Sequence, residues 1–63
     1  MPLVSISIRK GRTKQQKAQL VKEITESMVR VLGTKAENVQ IVIHEEPDEN
    51  LAHGGQLLSD RTG

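Results

Sequence analysis

Few residues of this sequence are equipped for acid–base chemistry, and the first stands at position 2, where Pro2 follows Met1 in "MPLVSISIRKGRT". Proline is the one residue whose main-chain nitrogen is a secondary amine when it begins a chain. Removal of Met1 would turn that nitrogen into a base or a nucleophile, whereas with Met1 in place it is an amide and neither. Proline is a small second residue of the kind that permits initiator removal, so a mature chain beginning at Pro2 is expected. The same residue also suits the first position of a strand. Arg12 is the second candidate. It lies on the turn before a helix, where its charge opposes the helix dipole, so stability gives no reason for an arginine there. His44 and His53 lie among several acids at a spacing poor for structural zinc. His44 ends a strand and reads as structural. His53 reads first as a polar loop residue, with the capacity of any imidazole to act as acid or base.

These residues must be positioned by a single small domain, residues 1–63. In "LVSISIR", Val4, Ile6 and Ile8 alternate with Ser5, Ser7 and Arg9, the pattern of a strand over 3–9 with one apolar face. Thr13 and Gln16 match a capping box, predicting a helix with Thr13 as N-cap. Leu20, Ile24, Met28 and Leu32 recur at four-residue steps, widened by Val21 and Val31, and Gly33 stops this amphipathic helix. "VQIVIHE", residues 39–45, reads as a second strand, with Val39, Ile41 and Ile43 on one face. The fold class expected is therefore α+β: one βαβ unit with two parallel strands, a right-handed crossover and a long amphipathic helix. In the remaining segment, Gly54-Gly55 between Leu51 and Leu57-Leu58 points to a short hairpin-like tail.

Composition narrows the classes of function. The chain has no cysteine, so disulfides and thiolate metal sites are excluded; it has no Phe, Tyr or Trp, so its core must come from Ile, Leu, Val, Met and Ala. A core so thin in so short a chain is marginal, and two strands are not independently stable. Oligomerisation is the staple that remains, and a two-fold dimer closing a four-stranded sheet is the simplest form. The net charge is +1, with basic residues spread along the chain and no aromatic platform for bases, which disfavours nucleic acid as a partner. No apolar run is long enough for a membrane span. A cytoplasmic protein is the default.

Pro2, the strand, Gly11-Arg12-Thr13 opening an amphipathic helix, the second apolar strand and the Gly-Gly tail together resemble the 4-oxalocrotonate tautomerase family, over essentially the whole chain. The resemblance implies a cofactor-free, metal-free isomerase assembled as a hexamer, a trimer of dimers. It implies action on small carboxylate substrates: interconversion of enol and keto forms of 2-hydroxydienoates or 2-keto acids such as 2-hydroxymuconate, a chemistry of aromatic-ring catabolism. Pro2 then matches the general base and Arg12 the arginine that grips a substrate carboxylate. The physical argument agrees with those roles. An α-amino group titrates near about 7.7–8.0 in model peptides; burial and a nearby guanidinium lower that value and leave the amine free to accept a proton at neutral pH.

Three positions depart from the family pattern. Where the best-known members carry a second substrate-binding arginine, this chain has Gln40, which hydrogen-bonds without charge. Where they place a pocket phenylalanine, it has Leu51. His53 falls where a dehalogenase branch has a water-activating glutamate. Two other readings follow from these departures. One is a hydratase or dehalogenase of small unsaturated acids, with Pro2 protonated and His53 assisting water; the other is a catalytically weak structural subunit of a tautomerase-like hexamer.

Overall fold

The computed structural model describes residues 1–61. Strand β1 (Leu3–Arg9) leads into helix α1 (Lys14–Leu32), and strand β2 (Gln40–Glu46) returns beside β1. The two strands are parallel, paired from Leu3 opposite Gln40 to Arg9 opposite Glu46. Two short strands, β3 (Ala52–His53) and β4 (Gln56–Leu57), form an antiparallel hairpin in the tail. This is the βαβ unit with a hairpin tail expected from the alternation of apolar residues.

The helix begins and ends where its caps dictate. The Thr13 hydroxyl accepts from the Gln16 N–H at 3.0 Å, and the Gln16 side chain accepts from the Thr13 N–H at 2.9 Å. Two of the donors left open at the helix start are thereby satisfied. Gly33 closes the helix in the left-handed region, φ 69°, and donates to the Val29 carbonyl at 3.0 Å. The hairpin has an equally local cause. Gly54 and Gly55 both have positive φ, 59° and 85°, which two-residue hairpin turns favour because they follow the strand twist.

Two details differ from expectation. The second strand starts at Gln40 instead of Val39, because a turn of 3-10 helix (Ala36–Asn38) takes the Val39 N–H for the Ala36 carbonyl at 3.1 Å. Val31 and Leu32 do not join a covered stripe but are 71% and 60% exposed. A 19-residue helix spans about 28 Å, whereas a seven-residue strand spans about 23 Å, so the end of the helix overhangs the sheet.

Among the described residues none is buried. Val4, Ile6, Ile8, Ile41 and Ile43 turn toward the helix but are only half-covered, while Leu3 and Val42 are exposed on the other face. The accessible surface is 5039 Å², against about 4,000 Å² for a self-sufficient globular monomer of 7.0 kDa. The chain is a slab, 45 × 24 × 14 Å. Association between chains removes such an excess. We therefore expect the thermal unfolding midpoint to rise with protein concentration, by about 3–5 °C per tenfold. Calorimetry over a hundredfold concentration range checks this, and a constant midpoint would show the slab to be stable alone.

Candidate active site

Parallel pairing sorts the candidate residues into two groups. Pro2 and Gln40 lie together where both strands begin: the Gln40 N–H donates to the Pro2 carbonyl at 3.0 Å, Pro2 is half-buried and the Gln40 residue is exposed. Arg12, Leu51 and His53 gather at the other end of β1, around Ile8. Arg12 lines one hollow there with Ile8, Gln16, Lys17 and Leu20. Leu51 and His53 line an adjoining cleft with Ser7, Ile8, Arg9 and Leu58. Ile8 is six strand steps from Pro2, about 20 Å, so within one chain Pro2 and Arg12 occupy opposite ends of the sheet.

The Arg12 hollow is built by the helix start. The capping box fixes the turn that carries Arg12, and the amphipathic face of α1 brings Gln16 and Leu20 over Ile8. Lys17 is held by Glu45 of β2 at 2.7 Å, which ties the first helical turns to the end of the sheet. The wall of the hollow is mostly apolar, so a guanidinium at its rim can meet a carboxylate while apolar atoms exclude water.

The cleft beside it holds residues that the periodicity did not mark. Arg9 donates to Asp48 through two parallel bonds, Nε to Oδ1 at 2.8 Å and Nη2 to Oδ2 at 2.7 Å. Asp48 opens a turn of 3-10 helix (Asp48–Asn50) just after β2. Arg9 reads in sequence as one polar position of an alternating strand. The available signal was the parallel register, which sets Arg9 opposite Glu46, two residues before Asp48. Among the described residues no three His, Cys, Asp or Glu side chains lie together as a metal site would need. None of their helices is long and apolar enough to cross a membrane.

The sequence matches the family described as "Tautomerase enzyme" over residues 2–61. The chain belongs to the tautomerase family. It is thereby placed among isomerases. It is 36% identical to a 2-hydroxymuconate tautomerase of Pseudomonas putida over 59 residues, 94% of each chain. A solved 4-oxalocrotonate tautomerase homologue superposes with a TM-score of 0.94 at 33% identity, each chain being fully covered. A heterohexamer 4-oxalocrotonate tautomerase from Chloroflexus aurantiacus superposes with a TM-score of 0.88 at 25% identity, covering 95% of this chain and 97% of its own.

Among the described residues of this tautomerase the marked electrostatic perturbation is at the Arg9–Asp48 pair. The hydrogen bonds from Arg9 hold the Asp48 carboxyl below its usual range. The pair's contribution is therefore complete above the ordinary carboxylate value of about 3.9 and is lost as pH falls through the depressed one. We expect a carbon-detected NMR titration to place the Asp48 midpoint below that of a free aspartate. Arg9→Gln should raise it back toward the ordinary aspartate range; an Asp48 midpoint unmoved by the substitution would show the two side chains not to be paired in solution.

Proposed function

We propose that this chain is a cofactor-free tautomerase that ketonises small 2-hydroxydienoates or related 2-keto acids, of which 2-hydroxymuconate is the model, with Pro2 as general base after Met1 is removed. The observation that carries the reading is a family match beginning at residue 2, where a proline stands ready to become the chain's amine. A 2-hydroxymuconate tautomerase at 36% identity supports the substrate class.

The neutral Pro2 amine takes the proton of the enol hydroxyl. The dienolate that results spreads its charge over oxygen and carbon, and the Pro2 ammonium returns the proton to carbon, giving the conjugated or unconjugated keto acid. No redox change and no covalent bond to the protein are needed. Arg12 holds the substrate carboxylate as that charge develops. Gln40 offers an amide hydrogen bond in place of a second cation, which makes charge stabilisation weaker. Leu51 supplies an apolar wall and His53 an auxiliary polar group.

Pro2 and Arg12 at opposite ends of one sheet require that a complete site draw on more than one chain. Pairing β1 antiparallel to its own copy about a two-fold axis would set the Pro2 end of one protomer beside the Arg9–Arg12 end of its partner. It would also give the four-stranded sheet that covers an open strand edge. Three such dimers make the hexamer we assign to this chain in the cytoplasm; the oligomeric relative from Chloroflexus aurantiacus supports the assembly.

The test couples intact-mass measurement with kinetics. The purified protein should lack Met1 and accelerate the ketonisation of 2-hydroxymuconate over buffer at neutral pH. Pro2→Ala should lower kcat by about 100-fold or more, the usual scale of a positioned acid–base group. Arg12→Ala should lower kcat/KM by about 10- to 100-fold, the scale of a lost charge-assisted bond. A protein retaining Met1 and turning over at the wild-type rate would overturn Pro2 as the base. A wild-type rate equal to buffer would leave the chain a structural subunit.

A further inference from the structure

The Arg9–Asp48 pair lies outside the proton-transfer machinery, and its contribution to stability is small. Its side chains are 57% and 41% exposed, and exposed pairs contribute little to folding free energy. Its geometry is nevertheless bidentate and short at both bonds, the arrangement in which arginine fixes direction as well as distance. What it joins is informative. The segment that follows β2 makes most of its own bonds internally: Asn50 N–H to the Pro47 carbonyl at 2.9 Å, Leu58 N–H to the Leu51 carbonyl at 2.8 Å, and the hairpin pairs. Among the described residues two residue pairs link its side chains to the sheet. One is long, Asn50 Nδ2 to Glu46 Oε2 at 3.4 Å. The other is Arg9 with Asp48, which reaches β1. Arg9 also lines the cleft whose opposite wall is Leu51, His53 and Leu58.

We propose that Arg9 and Asp48 are positioning residues, a tether that sets the distance between the end of β1 and the tail wall carrying Leu51 and His53. The inference rests on the tautomerase reading for its catalytic consequence, but not for its structural one. With the tether cut, the tail pivots on Pro47 and the wall no longer presses a bound acid toward the base. Misplacement by 1 Å can cost about 100-fold, and a tail kept partly in place by its own hairpin should lose less. Arg9→Lys keeps the charge but not the two-pronged grip and should fall between wild type and Arg9→Gln.

The experiment measures two quantities on the full chain. The first is amide hydrogen exchange across 51–58; the second is the steady-state kinetics of 2-hydroxymuconate ketonisation. Arg9→Gln and Asp48→Asn should each speed exchange at the Leu58 and hairpin amides and lower kcat/KM by about 5- to 20-fold. Helix content and oligomeric mass should stay as in wild type. The charge-reversed double variant Arg9→Asp/Asp48→Arg should recover most of both losses. Unchanged exchange in both single variants overturns the tether, as does a loss of activity that follows a change in oligomeric mass. A wild-type protein without ketonisation activity overturns the tautomerase reading alone, since the exchange measurement still decides whether the pair holds the tail.

Discussion

The in-register parallel pairing of β1 with β2 is the constraint from which the rest of this structure follows. Parallel strands start on the same side, so Pro2 and Gln40 share one end of the sheet and Arg9, Glu46 and the tail share the other. The crossover helix must then run at least the length of the strands, which its 19 residues exceed, and its capped start lies beside Ile8. With only two strands to cover, the helix cannot enclose a core, and the chain keeps an apolar surface for burial elsewhere. The division of the candidate residues between two ends and the incompleteness of the core are thus two results of one topology.

What was legible in the sequence was what is encoded locally. Thr13 with Gln16, Gly33 and the Gly54-Gly55 pair each act within a few residues, and each is found in the role its chemistry dictates. Strand alternation was also clear, because Val4, Ile6 and Ile8 repeat at a period of two and the pleat requires it. The misread positions depend on competition or on length. Val39 fits a strand by type but yields its N–H to a preceding turn. Val31 fits the helical stripe by spacing, and its exposure follows from a helix that outruns the sheet.

The candidate site was legible as a set of residues but not as an arrangement. Pro2, Arg12, Leu51 and His53 can be named from position, yet their separation along β1 emerges only with the strand register. Arg9 and Asp48 are 39 residues apart and meet because both follow the same end of a parallel pair. No local pattern signals such a contact. Gln40 is visible in sequence as an uncharged polar residue, and the structure adds that its backbone is tied to Pro2 itself.

The separation of Pro2 from Arg12 has a genetic consequence. A reaction centre assembled, as we propose, from the start of one protomer and the turn of another has no single-chain owner, so defects in the two halves need not be equivalent to defects in the whole. Co-expressed chains damaged at different halves can lend each other the intact part. A duplicated gene can likewise shed one role while its sister keeps it, and division of labour between non-identical subunits becomes open to a chain of only 63 residues.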